Sequence, residues 1–279
     1  MKRILFPTDF SVAANTAFEY ALHFADSFNA ELIVLHVYDL PIVETAPLPD
    51  STTEIFDIVE MNQFESFREQ LPELHSIAEK NQMGHVKMRN ILLYGDLIYT
   101  INKVCKDEDV DMIVMGTKGA TGLKETFLGS TTASVMTNAA VPVLGIPTEA
   151  KYHNQIQNIA FTTQYKEKDT DALVQAIEIA NKLNARIHCI YIKGNADAAE
   201  VDVRIEEWRQ HYKDENIDFL TLAGDDMEQT ILDFVEQREI GLLIMRAHKR
   251  GFFEGLFHKS LTKKMTHHSK VPILIFNDN

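Results

Sequence analysis

The chain repeats itself once. Ile4-Leu5-Phe6-Pro7-Thr8-Asp9 leads through a helix-like stretch to Ala25-Asp26-Ser27-Phe28-Asn29-Ala30, then to the apolar run Leu32-Ile33-Val34-Leu35-His36-Val37. The same succession returns as Ile159-Ala160-Phe161-Thr162-Thr163-Gln164, Ala180-Asn181-Lys182-Leu183-Asn184-Ala185 and Ile187-His188-Cys189-Ile190-Tyr191-Ile192, offset by 155 residues from Ile4 to Ile159 and from Ala30 to Ala185. The ends of the halves match too. Ile113-Val114-Met115 and Val141-Pro142-Val143-Leu144 recur as Leu243-Ile244-Met245 and Val271-Pro272-Ile273-Leu274, offset by 130. Self-similarity on this scale sets the architecture before any motif is read. The smaller second offset places the length difference in the middle of each half, where the first carries the Pro-containing loop from Asp39 to Pro49. A length of 279 residues accommodates two domains at about 150 residues each. The polar stretch Lys151 to Gln157 is the expected boundary, giving domains 1–150 and 151–279.

Within each half, short continuous runs rich in Val and Ile alternate with longer amphipathic stretches. Continuous apolar strands are those buried on both faces, so the pattern predicts βαβ units around parallel sheets and an α/β fold. Strands are expected near 2–6, 31–37, 86–93, 111–115 and 141–146, and helices near 12–29, 53–82, 97–107 and 130–139. In the 53–82 helix, Phe56, Ile58, Val59, Met61, Phe64 and Phe67 form an apolar stripe, most of which should pack on the sheet.

A formal charge of −14 opposes general nucleic-acid binding. Cys105 and Cys189 lie in or beside apolar runs, which points to buried thiols in a reducing compartment rather than a disulfide framework. The apolar stretch after Met1-Lys2-Arg3 is too short for a signal-peptide core, and no segment reaches the ~18 apolar residues of a membrane span. The expectation is a cytoplasmic protein without a membrane partner.

After Met112-Ile113-Val114-Met115 comes Gly116-Thr117-Lys118-Gly119, then nine residues, then Gly129-Ser130-Thr131-Thr132 opening a helical pattern. A helix start offers free N–H groups and the positive end of its dipole to an anion, and glycine lets backbone approach phosphate oxygens closely. Ser130 and Thr131 add hydroxyls there. In an open α/β sheet, ligands collect at the carboxyl ends of strands, where this loop falls. The P-loop pattern G-x-x-x-x-G-K-[ST] and the dinucleotide pattern G-x-G-x-x-G are both absent. Judged alone, such glycines also serve as turns and caps.

The spacing Gly116-x2-Gly119-x9-Gly129-Ser130 resembles the nucleotide motif of the ATP-binding branch of the universal stress protein family. Pro7-Thr8-Asp9, Leu35-His36-Val37, Gly95-Asp96 and Val141-Pro142-Val143 match further family positions in order, and the resemblance spans the chain twice. It implies two tandem open parallel-sheet domains, Rossmann-like and similar to adenine nucleotide alpha hydrolases. The last strands, Val141–Ile146 and Val271–Phe276, would pair across a pseudo-twofold axis as an intrachain pseudo-dimer; a homodimer of chains is compatible with this. It further implies that Pro7, Thr8, Asp9 and the backbone of Val37 border adenine and ribose, that Met115 and Gly116 flank the nucleotide, and that Gly119, Gly129, Ser130 and Thr131 hold phosphates. The residues themselves also fit plainer roles: Asp9 as a cap or turn acid, Gly95-Asp96 as a turn before a helix, Met115 as core.

The second half departs from this pattern. Gly116, Gly119 and Gly129 become Arg246, Lys249 and Lys259; Asp9 becomes Gln164; Ser130 is kept as Ser260; and Gly224-Asp225 matches Gly95-Asp96. Projecting side chains should obstruct an ATP pose there. From Arg246 to Lys270, seven Lys or Arg face one acid, Glu254, so the stretch is either an anion or partner surface, or a solvated face that helps solubility or pairs with acidic residues elsewhere. His248, His258, His267 and His268 follow no zinc spacing. Trp208, among charges on a helical pattern, reads as half-buried packing.

The implied function is a stress-response regulatory module that binds ATP, with or without Mg²⁺, in its first domain and acts through a protein partner, with little or no hydrolysis. The rival readings are a slow ATPase or nucleotidyl-transfer enzyme at the same site, and a ligand-free scaffold.

Overall fold

The computed structural model describes residues 1–39, 49–117, 129–152, 155–193, 199–246 and 270–277. The first half contributes β1 (Arg3–Pro7), α1 (Val12–Phe28), β2 (Glu31–Tyr38), α2 (Pro49–Lys80), β3 (Met88–Tyr94), α3 (Leu97–Asp107), β4 (Met112–Gly116), α4 (Ser130–Asn138) and β5 (Val143–Ile146). The second contributes β6 (Asn158–Thr162), α5 (Glu167–Leu183), β7 (Arg186–Lys193), α6 (Ala199–His211), β8 (Ile217–Ala223), α7 (Met227–Gln237), β9 (Leu242–Arg246) and β10 (Ile273–Phe276).

These strands join one sheet in the order β3-β2-β1-β4-β5-β10-β9-β6-β7-β8. Neighbours run parallel within each half, and only the central pair β5 and β10 is antiparallel. In that pair Val143 faces Ile275, Leu144 faces Leu274 and Gly145 faces Ile273. Leu144 meets its own counterpart in the repeat, and Val143 and Gly145 each meet the counterpart of the other, the relation a pseudo-twofold axis requires. The expected pairing of the last strands is therefore present.

Alternation along the strands feeds two apolar layers. Ile4 and Phe6 join Phe18, Phe161 and Leu173 on one face; Leu5 joins Ile113, Ala160 and Leu243 on the other. Both layers cross the β5–β10 seam, so the halves share their cores.

The helices begin and end for local reasons. Ser11 caps α1 by accepting from Ala14 N at 3.2 Å, and Asn29 ends it in the left-handed region at φ 51°. Asn184 ends α5 likewise at φ 53°. Asn29 and Asn184 occupy equivalent places in the repeat. Between the halves, Tyr152 stacks on His23 at 3.6 Å and meets Tyr20 edge-on at 5.0 Å, fastening the connecting segment to α1.

The stripe on α2 needs correction. Phe67 is buried and Phe56 and Val59 are half-buried, but Ile58, Met61 and Phe64 are exposed. The packed row runs 56, 59, 67, 74, 78, close to the 3.6-residue period, and Ile58, Met61 and Phe64 fall on an adjoining face. Cys105 and Cys189 are free, buried thiols, as expected. Trp208 is half-buried and packs edge-on against Tyr165 at 4.9 Å. No helix among the described residues is long and apolar enough to cross a membrane.

Candidate functional site: a cleft where two helix starts meet

In the first half the strand order reverses direction between β1 and β4, the place where open α/β sheets form a crevice. The turn Thr8–Ser11 leaves β1 there. Thr8 N donates to Leu35 O at 2.9 Å, Phe10 N donates to the Thr8 hydroxyl at 2.9 Å, and Ser11 N donates to Asp9 Oδ1 at 3.1 Å. Phe10 adopts φ 57°, an uncommon conformation for an aromatic residue. It is held by rings: His36 at 5.4 Å and Phe67 at 5.8 Å. The His36 Nδ1 also lies 2.7 Å from Thr8 O, so that nitrogen carries the proton and donates. The outcome is an exposed Asp9 beside the start of α1.

Gly116 ends β4 against the same helix. A Cβ there would meet Ala13 O at 2.9 Å and Ala13 C at 3.1 Å, so only glycine admits this approach. From the other side the Thr132 hydroxyl donates to Gly116 O at 2.8 Å, and Gly129 N donates to Thr117 O at 2.6 Å. The starts of α1 and α4 thus converge on one strand end. Gly129 provides no side-chain cap to α4, and Ser130 and Thr131 beside it are exposed. This combination of an uncapped helix start, positive dipole end and free hydroxyls suits an anion.

Among the residues singled out in the sequence, Pro7, Thr8, Asp9, Gly116, Gly129, Ser130 and Thr131 line this end of the β1–β4 edge. Val37 lies next to the last residue of β2, one strand away, half-buried and paired in register with Leu93. Met115 is buried in the α3-side core. Asp96 caps α3, accepting from Tyr99 N at 2.8 Å, and Gly95 makes the turn before it at φ 128°. Gly119 lies outside the described residues, as do Lys249, Lys259, Ser260 and the four histidines of that stretch.

The model of the universal stress protein family matches residues 1–147 and again 156–277. The chain belongs to that family. A universal stress protein of Methanocaldococcus jannaschii is 33% identical over 153 residues, spanning 51% of this chain and 93% of the relative. The crystal structure of a universal stress protein from Archaeoglobus fulgidus covers 99% of this chain and 96% of its own, with a TM-score of 0.74 at 22% identity. A universal stress protein structure from Pseudomonas aeruginosa covers 99% and 93%, with a TM-score of 0.63 at 13% identity. At those identities the two structures speak to the fold: a tandem universal stress protein arrangement along the whole chain.

The second universal stress protein repeat selects between the sequence readings at one position, where a basic residue pairs with a distant acid. Arg246, at the place of Gly116, does not project into a basic surface patch. It is buried, and its guanidinium donates to Asp169 Oδ1 at 2.8 Å. The other Asp169 oxygen accepts from the Thr163 hydroxyl and Gln164 N at 3.0 Å each and from Lys166 N at 3.1 Å. Burial disfavours the Asp169 charge, but Arg246 and these donors outweigh it and hold its carboxyl below the ordinary value. Arg246 therefore contributes no free charge to the Arg246–Lys270 stretch. Sequence reading missed Asp169, Phe10 and His36; a residue-by-residue comparison of the repeats exposes Ala14/Asp169, Phe10/Tyr165 and His36/Tyr191 as equivalent pairs.

Proposed function

We propose that the protein is a nucleotide-binding regulatory module of the stress response, with domains 1–150 and 151–279, that takes ATP at the β1–β4 cleft of its first domain. The single observation that carries this reading is the convergence of α1 and α4 on Gly116, where a Cβ would strike Ala13 O at 2.9 Å. Asp9 and the Val37 backbone would border the base and ribose, with Pro7, Thr8 and Met115 as their support. Gly119, Gly129, Ser130 and Thr131 would hold the phosphates.

Binding rather than turnover is the proposed role. The Asp9 carboxylate is engaged by Ser11 N–H, which ties it to the turn. No group of three His, Cys, Asp or Glu suited to a metal occurs among the described residues, so Mg²⁺ would come with the nucleotide's own phosphates. The bound state is proposed to be read by a protein partner in the cytoplasm. Extraction of the freshly purified native chain, with chromatography of the released small molecules, tests the proposal. An adenine nucleotide is expected; native chain that carries none and binds none on addition of ATP contradicts it.

A further inference from the structure

Three positions change together between the repeats. At the first cleft stand Asp9, Ala14 and Gly116; at the second stand Gln164, Asp169 and Arg246. In the first repeat a carboxylate from the turn itself, Asp9, accepts the N–H of the helix cap Ser11 and faces outward. In the second, the turn has lost its acid, and the equivalent N–H, that of Lys166, is taken by Asp169 from inside the helix. That carboxylate is 1% exposed and the Arg246 guanidinium against it 6% exposed. A buried charge of either sign would be costly alone; arriving together, they neutralise each other.

We infer that the Asp169–Arg246 pair is an internal ligand of the second domain: the carboxylate takes the donors of the β6–α5 turn, and the guanidinium, sent from the strand end equivalent to Gly116, is buried against it at the start of α5. The second cleft is closed by its own side chains, and the chain carries one open nucleotide cleft. Elements around the pair reinforce the closure. Arg204 of α6 donates to Tyr165 O at 2.7 Å, across the same turn, and the Cys189 thiol of β7, kept from ionising chiefly by its burial and further by the Asp169 charge, lies against Tyr165. Thr163 and Gln164 face the carboxylate from β6 and its turn, Lys166 from the start of α5, and Arg246 from β9.

The count of bound nucleotide rests on the proposed function; the ion pair does not. The test therefore has two arms, both on the full chain. In the first, thermal unfolding is followed against pH for wild type, Arg246→Met and Asp169→Asn. In wild type the stabilising charge of Asp169 is complete above the ordinary carboxylate range and lost only as pH falls through its lowered folded value. Arg246→Met leaves that carboxylate buried and unpaired, raising its pKa and reversing the sign. The variant should lose roughly 6 °C or more of Tm at neutral pH. That deficit should shrink as pH falls, because protonation removes the buried charge. Asp169→Asn should show a deficit without this pH dependence. An Arg246→Met deficit that stays constant with pH overturns the inference.

In the second arm, equilibrium dialysis counts ATP bound to the wild-type chain at saturation. One ATP per chain is expected. Two would overturn the closure while leaving the first-domain reading intact. None, together with the predicted pH dependence in the first arm, would leave the closure standing and overturn the first-domain reading.

Discussion

Leu144 lies directly opposite Leu274, its own counterpart in the repeat, at the centre of the antiparallel contact between β5 and β10. Both side chains are fully buried in the apolar layer that runs across the seam. The two halves are thus joined through a shared core rather than by a tether.

Leu144→Ala should destabilise the second half as well as the first. Truncating a fully buried leucine costs about 2–5 kcal/mol, and the layer it leaves includes Phe161 and Leu173 of the second repeat. The chain has one tryptophan, Trp208 in α6, so intrinsic fluorescence reports the second half. The Trp208 unfolding midpoint in urea is expected to fall. An unchanged midpoint would show that the halves unfold independently.

Gly116→Ala tests the close approach at the first cleft. The added methyl meets backbone of α1, which cannot rotate away, and overpacking of this kind costs about 1–3 kcal/mol. The expected outcome is a lower Tm together with weaker ATP binding, because α1 must retreat from the strand end. Unaltered stability would mean that the approach is not constrained. Gly84, whose added Cβ would meet only Glu79 Cγ at 3.8 Å, is the control position: Gly84→Ala should leave the cleft unaffected.

The connecting segment predicts a pH effect. His23, stacked on Tyr152, has its pKa pushed down to about 4 by burial, against the upward pull of Asp26. The unfolded chain therefore binds a proton there that the folded chain resists, and stability falls as pH drops from the ordinary histidine value of 6.5 toward 4. Below that window the penalty is complete. His23→Phe, which keeps a ring for Tyr152, should flatten this part of the stability curve. The measurement is chemical denaturation at a series of pH values, and an identical slope in wild type and variant would refute the assignment.

The sequence revealed the sheet and its seam because both depend on short-range pattern. Runs such as Ile4-Leu5-Phe6 are buried on both faces, and the 130-residue offset alone put Leu144 and Leu274 at equivalent places. The turn beside Asp9 was half legible. Gly116 and Gly129 stand out by spacing, whereas His36 and Phe10 act through ring contacts and one carbonyl. The partner of Arg246 was not legible because it is 77 residues away; charge counted along the chain left both a surface cation and a residue paired with a distant acid open, and the Ala14-to-Asp169 exchange hints at the second. On α2 the apolar composition of 56–67 hid its split between a packed row and an exposed face, since Ile58 and Val59 are separated by a turn of about 100°.

Isothermal titration of the native chain with ATP, repeated with Gly129→Lys, bears most directly on the proposed cleft. The exchange places at the start of α4 the residue type that the second repeat carries as Lys259. Wild type should bind ATP saturably, and the folded variant should bind it at least ten-fold more weakly, a loss of about 1.4 kcal/mol. Folded wild type that releases no heat and retains no ATP on dialysis, or a variant with undiminished affinity, would contradict the account.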